Sequence, residues 1–118
     1  MAKARTLLED DIEKAKKNLI IVEGKNDEKA LKELGFQEIF IINETGRSLN
    51  EGIELIEQTA HKRKVCILTD FDKRGKMLFM RIKSGLAERR IKMDNTLRGA
   101  LLKCGVSHIE GIGSCVGN

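Results

Sequence analysis

Tyrosine, tryptophan and proline are all missing from these 118 residues, and phenylalanine occurs only four times. The first absence excludes any mechanism in which the chain supplies its own tyrosine nucleophile. With so few aromatic rings, base stacking has few candidates, so a nucleic-acid partner would be held mainly by phosphate contacts and shape. No apolar run approaches the ~20 residues that span a bilayer, which argues against a membrane partner. The highly charged stretch Met1 to Lys17 lacks the apolar segment of a secretory signal. Three cysteines, Cys66, Cys104 and Cys115, form no Cys-x-x-Cys pair, and His61 and His108 have no metal-ligand spacing to them. A zinc site and a disulfide framework are therefore not expected; the reading is three reduced thiols in a cytoplasmic protein, with Cys66 in a core strand.

Charge is plentiful but uneven. The net charge is +4, yet residues 1–72 carry 12 Lys/Arg against 15 Asp/Glu, and residues 73–118 carry 10 against 3. An acidic first part thus precedes a basic second part, an asymmetry that can mark a nucleic-acid-facing surface. Three short apolar runs, Leu19 to Val22, Ile39 to Ile42 and Val65 to Leu68, fit strands covered on both faces, as in a parallel sheet. Helical spacing fills the intervals. Ala30, Leu31 and Leu34 form one stripe closed by Gly35. Leu49, Ile53, Ile56 and Ala60 form another, opened by the capping-box spacing Ser48 to Glu51. A third helix is expected from Gly75 to Arg90 with Leu78, Phe79, Ile82 and Leu86 inward. An N-terminal helix is expected to be capped at Thr6 to Glu9, with Leu8, Ile12 and Ala15 inward. A short helix from Thr96 to Lys103 and a final strand from Ser107 to Ile112 complete the pattern. The expectation is one domain over residues 1–118: a helical extension to residue 17, a core over 18–112 and a loose tail over 113–118. Its class is α/β, a compact Rossmann-like fold with a mainly parallel sheet of about four strands and helices on both faces.

In such sheets ligands bind at the carboxyl ends of the strands. The first run ends in Glu23-Gly24-Lys25-Asn26-Asp27 and the third in Thr69-Asp70-Phe71-Asp72-Lys73-Arg74-Gly75. If those strands are neighbours, Glu23, Asp70 and Asp72 converge. Clustered carboxylates repel unless a cation sits among them, and oxygen ligands suit Mg²⁺ or Mn²⁺. Asp27 and Asp72 also fit a plainer role at helix N-termini. Glu23 and Asp70 add nothing to the core and have no evident capping role. No G-x-x-x-x-G-K-[ST] or G-x-G-x-x-G stretch is present, which excludes nucleotide loops of those types.

Glu-Gly-x-x-Asp after one strand, followed by Asp-x-Asp-x-x-Gly after a later strand, resembles the Toprim domain of topoisomerases, primases and certain nucleases. Among its members the chain looks most similar to the ribonuclease that matures 5S ribosomal RNA and to small stand-alone Toprim proteins. The resemblance implies a Mg²⁺-binding domain that handles phosphodiesters, with Glu23 as general acid/base, Asp70 and Asp72 as metal ligands, and Asp27 at a further acidic position. Catalysis is thus assigned to Glu23, Asp70 and Asp72, and the metal to these three with Asp27. Lys25, Lys73, Arg74, Lys76, Arg81, Lys83, Arg89, Arg90 and Lys92 are the candidates for nucleic-acid contacts. The missing tyrosine sets the chain apart from topoisomerases, and 118 residues leave no room for a primase's polymerase body. A nuclease acting on structured RNA is the expected function, with a protein partner or self-association left open. The alternatives are a non-catalytic nucleic-acid-binding module or partner subunit, and a phosphotransfer enzyme acting on nucleotides.

Overall fold

A computed structural model describes residues 3–116. Helix α1 (Lys3–Ala15) precedes strand β1 (Leu19–Val22), helix α2 (Lys25–Glu33), strand β2 (Ile39–Ile41) and helix α3 (Leu49–Ala60). Strand β3 (Val65–Ile67), α4 (Lys73–Glu88), α5 (Thr96–Cys104), a 3-10 turn (Ile109–Gly111) and the single turn α6 (Gly113–Val116) follow. All three strands are parallel in the order β2-β1-β3, so the most apolar run forms the sheet's centre.

Alternation along the strands splits the core in two. Ile20, Val22, Cys66 and Leu68 pack with Leu8, Ile12, Leu31, Leu97, Leu101, Ile109 and Ile112 beneath α1, α2, α5 and the 3-10 turn. Leu19, Ile21, Val65 and Ile67 pack with Ile53, Ile56, Ile82 and Leu86 from α3 and α4. Strands β1 and β3 bury both faces, which is why their sequences are unbroken apolar runs, while β2 at the edge of the sheet is half-buried. Truncating a side chain such as Leu31 to alanine is worth roughly 2–5 kcal/mol at a site this well enclosed.

The α/β class with helices on both faces stands as read from the sequence. Ser48 caps α3 as its spacing indicates: its Oγ accepts from the Glu51 N–H at 3.1 Å, and Glu51 Oε1 accepts from the Ser48 N–H at 2.8 Å. Gly35 closes α2 with φ +95°, a conformation glycine adopts without steric cost. Helix α1 begins at Lys3, a turn before the expected cap at Thr6.

Four expectations need correction. The segment Ser107 to Ile112 is not a strand. Val106, Ile109 and Ile112 recur every third residue, the period of a 3-10 helix, and all three are buried in one core. The sheet therefore has three full strands. Among the described residues its outer side beyond β3 carries only the single bridge Val65–Met93, made by the Val65 N–H to Lys92 O and the Asp94 N–H to Val65 O, each at 3.0 Å. The expected loose tail is helical over Gly113–Val116; its last two residues lie outside the described ones. Finally, Cys104 and Cys115 are joined in a disulfide, with Cα atoms 6.3 Å apart, while Cys66 is free and buried. That pairing depends on the end of α5 meeting α6, which cysteine spacing does not reveal.

Burial pushes the Cys66 thiol up to about 12, so it is neither ionised nor reachable in the folded chain. Titration with a thiol reagent should therefore find no rapidly reacting thiol in the native protein. It should find one after denaturation alone and three after denaturation with reductant. Three without reductant would show that the Cys104–Cys115 bond is absent.

Candidate metal centre and nucleic-acid interface

Strand β1 pairs with β2 on one side and with β3 on the other, so the chain leaves β1 in one direction and later returns across it. Ligands of open α/β sheets bind where strand order reverses in this way, at the carboxyl ends. Glu23 directly follows β1, and Asp70 and Asp72 follow β3. The two strand ends are tied together: the Asp70 N–H donates to Glu23 Oε2 at 2.8 Å.

The same device recurs at each carboxylate. Ile109 N–H donates to Asp70 Oδ1 at 2.8 Å, Gly75 N–H to Asp72 Oδ1 at 2.8 Å, and Gly24 N–H to Asp27 Oδ2 at 3.1 Å. Asp72 is the N-cap of α4, and Asp27 folds back onto the start of α2, so the helix-terminus roles considered for both are real. In all four, one oxygen is spent on a backbone amide. Charge is uncompensated here: burial raises the Asp27 pKa against the Gly24 hydrogen bond, and neighbouring Asp70, Glu23 and Glu110 raise it further.

Ligand atoms of Asp70, Asp72 and His108 lie within 4.8 Å of one another. His108 Nε2 is 3.5 Å from Asp72 Oδ2, and its Nδ1 is 3.0 Å from Ser107 Oγ. Sequence spacing missed this histidine because it reaches the site from the 3-10 turn, 36 residues beyond Asp72 in the chain. Glu23 and Asp27 adjoin the group rather than complete it. Carboxylate oxygens with a neighbouring imidazole nitrogen suit Mg²⁺ or Mn²⁺, the nitrogen being better matched to Mn²⁺.

Arg98 was missed as well. It is 8% exposed, and its Nη1 donates to the carbonyls of Thr69 (2.7 Å) and Ile67 (3.3 Å), with Nη2 3.5 Å from Asp70 O. The guanidinium lies 4.5 Å from the Phe71 ring centre and 4.2 Å from that of Phe79. Strand β3 has little beyond it on its outer side, so its final carbonyls need another donor, and Arg98 supplies one. Burial lowers its pKa, while Cys66, Glu23 and Asp70 act in the other direction. Its only sequence signal is a charge beside the buried Leu97 and Leu101 of α5.

Gly75 allows α4 to start hard against β3, because a Cβ at that position would overlap the Asp70 carbonyl oxygen. Thr69 Oγ1 donates to Gly75 O at 2.8 Å and locks the turn.

The basic candidates separate by position. Lys25 is exposed at the start of α2; Lys73, Arg74 and Lys76 are exposed in the first turn of α4. Arg81 and Lys83 lie further along α4, with Lys83 Nζ 5.8 Å from the Phe79 ring centre. Arg89 is engaged with Glu57 at 3.4 Å and with Gly85 O at 3.3 Å, which takes it away from a phosphate surface. Arg90 and Lys92 are exposed beyond the far end of α4.

The family model for the Toprim domain matches residues 18–96, and the chain belongs to that family. Toprim domains occur in nucleases, primases and topoisomerases and bind divalent metal, which places the chain in metal-dependent nucleic-acid chemistry. At closer range, the chain is 34% identical over 105 residues to a UPF0292 protein of Methanocaldococcus jannaschii, covering 86% of this chain and 80% of that one. A UPF0292 protein of Thermococcus sibiricus is 32% identical over 95 residues, covering 80% and 71%. A solved protein from Aquifex aeolicus superposes with a TM-score of 0.75 at 27% identity, over 89% of this chain and 94% of that one.

Replacing Arg98 by alanine should cost about 2–4 kcal/mol in urea unfolding, from unpaired carbonyls and the lost ring contacts. Arg98→Lys should recover less than half, since an ammonium lacks the planar fork. Gly75→Ala should lose at least about 2 kcal/mol in the same measurement, because the strand-to-helix turn must open. A wild-type-like midpoint for either alanine variant would refute the corresponding contact.

Proposed function

We propose that this chain is a Mg²⁺-dependent phosphodiesterase acting on nucleic acid, with RNA as the favoured substrate. One observation carries the reading most strongly. Glu23, Asp27, Asp70 and Asp72 each spend one oxygen on a backbone N–H, which leaves Glu23 Oε1, Asp27 Oδ1 and the Oδ2 atoms of Asp70 and Asp72 for a cation or a proton. The fixed oxygens orient the remaining ones without using up the negative charge.

Asp70 and Asp72 would hold the ion, with Asp27 supplying further negative charge and His108 a nitrogen beside Asp72. When bound, Mg²⁺ supplies charge neutralisation at the scissile phosphate. Glu23 is the proton carrier: its Oε1 accepts a proton from the attacking water or returns one to the leaving oxygen, while the Asp70 amide keeps the carboxylate in place. Lys25, Lys73, Arg74 and Lys76 neutralise the flanking phosphates, and binding through them weakens with salt. Family membership supports the metal dependence, and the net positive charge of residues 73–118 supports a polyanionic substrate.

Purified protein should cleave structured RNA with Mg²⁺ or Mn²⁺ and not with EDTA, with duplex DNA assayed in parallel. Glu23→Gln should lower the rate about 10²–10⁴-fold while Mn²⁺ binding persists, and Asp70→Asn should abolish both. Cleavage that survives both substitutions would overturn the assignment. Salt-sensitive binding with no cleavage would identify a non-catalytic module instead.

A further inference from the structure

We propose that the groove between residues 42–49 and helix α4 seats one nucleotide of an unpaired strand, immediately beside the carboxylate centre. The location rests on the phosphodiesterase reading; the binding itself requires neither metal nor cleavage. The groove has a volume of about 450 Å³, and Ile42, Asn43, Thr45, Arg47, Leu78 and Arg81 are among its walls. It continues into a hollow of about 230 Å³ that shares Asn43, Leu78 and Arg81 and adds Arg74 and Met77. Dimensions of this order suit a small ligand of nucleotide size, not the convex body of a duplex.

The walls have the chemistry of a nucleotide site. Across the two cavities the lining carries three arginines, Arg47, Arg74 and Arg81, and a single carboxylate, Glu44. Arg74 and Arg81 are seven residues apart, so they share one side of α4 two turns apart, about 10 Å along its axis. Between them Leu78, with Leu49 and Met77, offers an apolar surface for the face of a base. Arg47 is fixed in advance. Its Nη2 donates to Ile41 O at 2.6 Å and to Ile42 O at 3.3 Å, and its guanidinium lies 4.9 Å from the Phe40 ring centre. Its Nε is buried without a hydrogen-bond partner.

The groove also lies near the centre. The Asn43 N–H donates to the carbonyl of Glu23 at 3.2 Å, and Arg74 lies two residues after Asp72. A strand whose scissile phosphate met the carboxylates would have its next nucleotide between Asn43 and Arg81. The preferred substrate would then be a loop or an end of folded RNA, with paired regions outside the groove.

Binding of a labelled single-stranded oligoribonucleotide, its deoxyribose counterpart and the corresponding blunt duplexes, all in EDTA, tests this. Arg74→Ala and Arg81→Ala should each weaken single-strand binding about 5–10-fold and lower the salt slope by about 0.7. In Arg81→Ala, duplex binding should change less than twofold, and Lys103→Ala should alter neither. Arg81→Gln serves if a melting curve shows Arg81→Ala misfolded. The proposal fails if the wild type binds duplex as tightly as single strand, if both weaken equally, or if the Arg81 variants bind normally. Because EDTA is present, a wild type that never cleaves leaves this result intact. A wild type that cleaves, with Arg81 variants binding normally, defeats the groove alone.

Discussion

The hydrogen bond from the Asp70 amide to the Glu23 carboxylate joins the ends of the two strands on which the centre is built. Without it, two like charges would stand at adjacent strand ends with only solvent to separate them. With it, one carboxylate is bound to the backbone of the other's residue, and the ends of β1 and β3 are held together. The Ile109 amide repeats the arrangement one step outward by fixing Asp70. Helix α4 completes it through Asp72 and Gly75, and Arg98 neutralises the carbonyls left over beneath. Negative side chains in the centre are thus each braced by a dipole, while Arg98, the one buried cation among the described residues, is spent on carbonyl oxygens.

This division of labour explains why the surface can be basic while the centre stays acidic. Arg98 lies close enough to Glu23 and Asp70 to interact with their charge, yet its hydrogen bonds go to carbonyls and leave the carboxylate oxygens free of it. The exposed cations lie further out, on α2 and α4, where water screens them from the carboxylates.

Much of this was legible from the residues. Three apolar runs fixed the strands because a strand buried on both faces tolerates no polar side chain. Ser48 and Glu51 marked the start of α3, since their pairing is local. Glu23 and Asp70 stood out as site candidates because neither serves the core nor caps a helix. What stayed hidden depends on contacts between distant segments. His108 reaches Asp72 only once the 3-10 turn packs on α2, and Arg98 matters because β3 has little beyond it in the sheet. The disulfide escaped notice for the same reason. The false strand at residues 107–112 had a different cause: Val106, Ile109 and Ile112 carry a period of three, which β-branched composition masked.

The bonds that orient the centre span 47 residues from Glu23 to Asp70 and 39 from Asp70 to Ile109. Contacts of such sequence separation form late, after most loop-closure entropy has been lost. The geometry at Asp70 is therefore timed by folding: a nascent chain that has not reached Ile109 lacks an amide that orients its carboxylate. Opening of the C-terminal segment alone would undo the same bond while the sheet stayed intact. A partly folded copy carries the same charges but lacks the amide that fixes Asp70.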